Sequence, residues 1–141
     1  MGNLTIKWKS YRPKVKNKWG IPADKNYTNS NAIALINFLI SKGLPKVAAI
    51  GVAGSMMGEV AFNPYKSGHD VNGPSGGIAQ WHDGPDSNNF TRLKRYAKSK
   101  GKPWTDIETQ ANFLWSDISR KLLNKLKSAK TVEDAAFIWG N

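Results

Sequence analysis

The chain has no cysteine, only two histidines (His69 and His82), and only three glutamates among its 141 residues. Lack of cysteine excludes disulfides, thiolate metal sites and a cysteine nucleophile. Two histidines cannot alone supply a zinc site, so no metal or cofactor is expected, and hydrolysis or group transfer falls to carboxylates. No run approaches the ~18 apolar residues a membrane span needs. Met1–Ser10 lacks the apolar core of a secretory signal, and Ile6 stands where myristoylation wants Ser or Thr. The expectation is a chain made in the cytoplasm that reaches any external target by another route.

What is present suffices for one compact core: 15.6 kDa, 40% hydrophobic and 11% aromatic residues. The formal charge of +11 points to a polyanionic partner, and both nucleic acid and the anionic bacterial wall fit that description. Residues 1–28 hold seven of the 21 basic side chains, interleaved as Lys7-Trp8-Lys9 and Lys14-Val15-Lys16-Asn17-Lys18-Trp19 and interrupted by Pro13 and Pro22. They read as a basic N-terminal arm, packed over the domain or loose, ahead of a catalytic domain over 29–141.

Apolar spacing predicts a helix from about Asn31 to Lys42, capped by Thr28, Asn29 or Ser30. A second follows from Pro45 to about Gly58, so rich in Ala and Gly that it must be central and closely packed. Residues 60–88 differ in kind, with five glycines and three prolines; a stretch this long without a clear pattern is usually functional, and short strands or a hairpin fit it. A basic helix then runs from Phe90 to Gly101. Thr105-Asp106-Ile107-Glu108 reads as a capping box opening one long helix to about Lys127, and Thr131 caps a last helix through Trp139.

Glu59 stands apart from the other two glutamates. Glu108 sits in the capping box and Glu133 in the first turn of the last helix, where the dipole favours acid. Glu59 falls at a helix C-terminus, where the dipole opposes a carboxylate, and its neighbours Met56, Met57, Val60, Ala61 and Phe62 are apolar. Both features favour the protonated form, as a general acid for glycoside cleavage requires. The alternative is a surface carboxylate at a frayed helix end.

The residues Gly54-Ser55-Met56-Met57-Gly58-Glu59, then Phe62-Asn63-Pro64, then Gly77-Ile78-Ala79-Gln80-Trp81 together resemble the phage tail lysozyme family of the lysozyme-like superfamily. Asp106–Asp117, with Gln110, Phe113, Leu114 and Trp115, is similar to the family's long helix, and Thr131–Ile138 to its closing helix. The resemblance covers about residues 30–139; Val60 departs from it, standing where relatives commonly carry Ser. It implies a mainly α lysozyme-like fold with a small loop/β region carrying part of the cleft. It further implies cleavage of bacterial peptidoglycan between N-acetylmuramic acid and N-acetylglucosamine, with Glu59 as general acid. Gln80 and Trp81 are then expected across the sugar cleft, with Asn63, Ser75 and His82 as further substrate-binding residues. A phage virion, tail-associated or acting from the host cytoplasm at lysis, is the implied setting, with other virion proteins as partners.

The second carboxylate stays open: Asp70 is preferred, with Asp83 and Asp86 as alternatives, and a lytic transglycosylase would manage with Glu59 alone. A nucleic-acid-binding protein lacks any recognised binding motif here, and a non-catalytic wall-binding module is the remaining alternative.

Overall fold

The computed structural model describes residues 5–10 and 25–140. The basic stretch Lys14–Trp19 and its flanking Pro13 and Pro22 lie outside the described residues. Two helices, α1 (Lys25–Ser41) and α2 (Lys46–Val60), lead into a four-stranded antiparallel sheet. Its strands, in the order they pair, are β1 (Ser67–Asp70), β2 (Gly73–Gly76), β3 (Trp81–Gly84) and β4 (Ser87–Asn88). Four helices follow: α3 (Asn89–Ser99), α4 (Ile107–Asp117), α5 (Arg120–Ser128) and α6 (Val132–Gly140). The fold is mainly α, with the sheet built from the glycine- and proline-rich segment that showed no helical pattern.

The thin helix α2 is the centre of the bundle, as its small residues require. Ala48, Ala49, Gly51, Val52, Ala53 and Met56 are all buried. A β-carbon on Gly51 would fall 2.6 Å from the Ala135 β-carbon and 2.7 Å from the Val132 carbonyl oxygen, so α2 and α6 cross at a distance only glycine permits. Leu35, Leu39, Phe62, Ile78, Leu93 and Leu126 complete a core that joins the helices to the base of the sheet.

Three boundaries differ from the sequence expectation, each for a tertiary reason. Helix α1 begins at Lys25 rather than near Asn31. Its polar first turns read as caps, but Tyr27 is buried and Asn31 is fully buried, and both spend their polar atoms on distant backbone. The cap of α4 is Asp106, not Thr105: its carboxylate accepts from the Thr109 N–H at 3.0 Å and the Thr109 hydroxyl at 2.7 Å. Glu108 is thereby an acidic residue of the first turn rather than the reciprocal member of a capping box. The single long helix is broken. Ile118 is extended (φ −65°, ψ 129°), and the Ser119 side chain accepts from the Leu122 N–H at 3.1 Å to start α5 afresh. The apolar stripe that predicted one helix runs across this break.

Residues 5–10 are docked on α1. The Asn31 amide pairs with the Lys9 main chain in both directions, accepting from its N–H at 2.9 Å and donating to its carbonyl at 3.1 Å. Asn37 donates to the Thr5 carbonyl at 2.9 Å, and Trp8 lies 6.2 Å from the Phe38 ring. Among the described residues no helix is long and apolar enough to cross a membrane.

Candidate active site

Glu59 is the penultimate residue of α2 and is exposed. Its neighbours Met56 and Val60 are buried; they turn inward while the carboxylate points out. The burial that the apolar neighbours suggested is therefore a property of the opposite face of the helix. No basic residue occupies the last turn of α2, so nothing on the helix itself offsets the carbonyl end of the dipole.

Directly after the helix the backbone is strained. Ala61 (φ 51°) and Phe62 (φ 59°) are consecutive non-glycine residues in the left-handed region, each costing on the order of 1–3 kcal/mol. Three bonds hold them. The Ala61 N–H donates back to the Met57 carbonyl at 3.2 Å. From the first turn of α1, the Tyr27 hydroxyl donates to the Phe62 carbonyl at 2.7 Å and the Thr28 hydroxyl to the Ala61 carbonyl at 3.4 Å. With the Phe62 ring fully buried, the turn that fixes where α2 ends, and so where Glu59 points, is clamped from two directions.

The same turn passes straight into the sheet. Asn63 is buried and its side-chain oxygen accepts from the Tyr65 N–H at 3.0 Å. The Lys66 carbonyl accepts from the Gly77 N–H at 3.0 Å and from the Gln80 side-chain amide at 3.1 Å. Fully buried Gln110, from α4, joins the pieces. Its oxygen accepts from the Ile78 N–H at 2.9 Å, and its amide donates to the carbonyls of Pro64 at 2.9 Å and Trp104 at 2.7 Å. The Gly77–Trp81 segment is thus tied to the residues that follow Glu59.

The sheet sorts the remaining candidates by face. In β3, Trp81 and Asp83 point toward the helices and His82 points away. Trp81 is 9% exposed and packs edge-on against Phe113 at 5.4 Å; its open edge lines a groove of about 280 Å³ with Ala79, Leu114 and Trp139. Asp83 accepts from the Thr91 N–H at 2.9 Å and the Thr91 hydroxyl at 2.6 Å, so it caps α3 from the neighbouring strand. Those two Thr91 bonds, the hydroxyl first, hold the Asp83 carboxyl below its ordinary value. Asp86 is exposed in the turn between β3 and β4. Gln80, itself left-handed (φ 48°), spends both amide hydrogens on the carbonyls of Lys66 and Gly77, and its oxygen faces the Ser75 hydroxyl at 3.4 Å.

On the outer face, Gly68, Ser75 and His82 are register partners across β1, β2 and β3. Asp70 shares that face, and its Oδ1 lies 3.0 Å from His82 Nε2. The same oxygen accepts from the backbone N–H groups of Asn72 at 2.8 Å and Gly73 at 3.0 Å. The His82 bond, then the Asn72 bond, hold the Asp70 carboxyl below its ordinary value. Asp70–His82 and Ser75–Gln80 are therefore two hydrogen-bonded pairs set side by side by the β2–β3 register, while Asn63 and Trp81 are buried. Thr28, expected as a helix cap, lies inside α1 and instead holds the Ala61 carbonyl; Tyr27 and Thr91 were not expected at the site, and a single tyrosine inside the polar run Asn26–Ser30 is the only local sign of the first.

Helices packed around a small-residue central helix, with a carboxylate at its end and a small antiparallel sheet beside it, define a lysozyme-like protein. The phage tail lysozyme family model matches residues 30–141, and the chain belongs to that family. Membership implies lysozyme-like, peptidoglycan-cleaving activity in a phage-associated protein. No curated protein matches the chain significantly.

Proposed function

We propose that the protein cleaves peptidoglycan glycan strands between N-acetylmuramic acid and N-acetylglucosamine, as a muramidase with Glu59 as general acid. The observation that carries this is the placement of Glu59: an exposed carboxylate at the end of the central helix, followed at once by a strained turn clamped by Tyr27 and Thr28. Backbone strain of this kind persists only where surrounding structure over-determines it, and it concentrates at functional sites. Glu59 gives its proton to the departing sugar oxygen as the glycosidic bond breaks. Ser75 and His82 offer hydroxyl and imidazole groups to the sugar and Gln80 its side-chain oxygen, Asn63 and Trp81 shape the wall beneath them, and Asp70 is the second acidic group of the site. The protein acts from the virion, associated with the tail.

The test uses purified peptidoglycan, the intact chain and Glu59→Gln, with product ends identified by mass spectrometry. The reading expects the wild type to release unmodified reducing ends and Glu59→Gln to lose at least about 10²-fold in rate, the lower bound for general-acid catalysis. Equal cleavage by both would show that Glu59 is not the acid. Anhydro ends would identify a transglycosylase, and no cleavage by the wild type a wall-binding module.

A further inference from the structure

We infer that the seam between α5 and α6 is a groove for the peptide-bearing glycan strand: sugar rings lie against Trp81 and Trp139, and Lys121 and Lys125 receive the carboxylates of the stem peptides. This rests on peptidoglycan being the substrate and is independent of which residue supplies the acid.

The break between α4 and α5 builds the groove. Ile118 is extended and Ser119 restarts the helix, so α5 does not continue α4. At that corner lies the cavity of about 280 Å³ already noted, lined by Leu114, Ile118 and Leu122 together with Trp81 and Trp139. A second cavity, of about 520 Å³, is lined by Lys121, Lys125, Phe137 and Ile138. Ser119 and Leu122 line both, so the two adjoin as one groove along the seam. It brings together side chains from β3, α4, α5 and α6.

Its lining is mostly apolar with a few charges, the make-up of a ligand site. Trp81 is anchored edge-on against Phe113 and Trp139 is half-buried. A held indole offers an apolar ring surface to the C–H face of a sugar and an N–H to its hydroxyls. Helix α5 supplies the charge. Lys121 and Lys125 stand one turn apart on one face and are both exposed. Residues 118–132 carry five basic side chains and no acidic one. Asp117 is the only acidic residue lining either cavity, and Arg92 pairs with it, so an entering carboxylate meets no unpaired negative charge there. Peptidoglycan presents both features on one chain, sugar rings and short peptides with free carboxylates. Aromatic surface beside a lysine pair fits that composite chain better than a charged polymer alone.

The test measures binding of soluble tetrasaccharide fragments to the Glu59→Gln chain, the stem-peptide carboxylates being either free or converted to primary amides. In NMR titrations the indole N–H signals of Trp81 and Trp139 should move with both fragments. By calorimetry the free carboxylates should bind about 3- to 10-fold more tightly than the amides, the range two exposed ion pairs allow. Adding Lys121→Ala and Lys125→Ala should abolish that preference, whereas Lys98→Ala with Lys102→Ala, an equal loss of charge on and just after α3, should keep it. Equal loss in both pairs would overturn the lysine pair in favour of a long-range charge effect. Absence of binding, or saturation with Trp139 unmoved, would overturn the groove and leave the Glu59 assignment standing. Turnover of the fragments by Glu59→Gln would instead remove that assignment and leave the groove intact.

Discussion

Individual side chains in this protein are assigned by their neighbours more than by their type. Seven aspartates are present in the sequence, and three of them, Asp70 first with Asp83 and Asp86 as alternatives, were candidates for a second acidic group that geometry then separated. Asp83 is spent on Thr91 at the start of α3, and Asp70 on His82 and two backbone amides. Replacing Asp83 with Ala should cost about 1 kcal/mol, the usual worth of a helix cap, read as a lower urea midpoint at neutral pH. The sign of its pH dependence follows from the lowered Asp83 value. The ionised cap contributes fully above the ordinary carboxylate value of 3.8 and loses its contribution as pH falls through the lower folded value. The gap between wild type and Asp83→Ala should therefore narrow progressively below about pH 4 and stay constant above pH 6. A gap that widened on acidification would show that the carboxylate is not the capping group.

At the scale of elements, the α2–β1 connection is where sequence, strain and the candidate acid meet. Two left-handed residues follow Glu59 without a glycine to ease them, and side chains thirty-odd positions upstream hold their carbonyls. Tyr27→Phe removes one of those donors and leaves the buried Phe62 carbonyl without it. The expected cost is about 1–2 kcal/mol in chemical denaturation. Cleavage should fall further than the unfolded fraction accounts for, because the end of α2 is no longer pinned. If Tyr27→Phe loses stability but keeps full specific activity, the clamp serves the fold alone. Gln110 plays the corresponding part on the sheet side. Its three bonds to Ile78, Pro64 and Trp104 hold the loop before β3, the turn after α2 and the approach to α4 at fixed separations.

Across the whole molecule, 21 basic side chains face ten acidic ones. Among the described side chains every Lys and Arg except Lys66 is exposed, so their positive charge is presented to solvent. Such a surface attracts a polyanion over a range set by salt: about 10 Å at 0.1 M and about 3 Å at 1 M ionic strength. Binding of Glu59→Gln to purified cell walls, measured by sedimentation, should fall several-fold between these concentrations. Binding that ignores salt would mean that sugar contacts, not charge, hold the protein on the wall.

The central helix, the sheet-forming segment, the last helix with its Thr131 cap and Glu59 as the odd glutamate were all legible in the sequence. Each is written in local signals: small residues at helical spacing, glycine and proline density, a threonine cap, a carboxylate without a capping role. The start of α1 and the break between α4 and α5 were not legible, because polar residues that look like caps were instead satisfied by distant backbone, and an apolar stripe continued across a kink. Sequence by itself determined the mainly α class and singled out Glu59 among the glutamates, since both follow from patterns within a few helical turns. Only the tertiary structure decided what Asp70, Asp83 and His82 do. Hydrogen-bond partners eight to twelve residues apart are chosen by strand register and by the glycines that clear the space between them, and a sequence pattern carries neither.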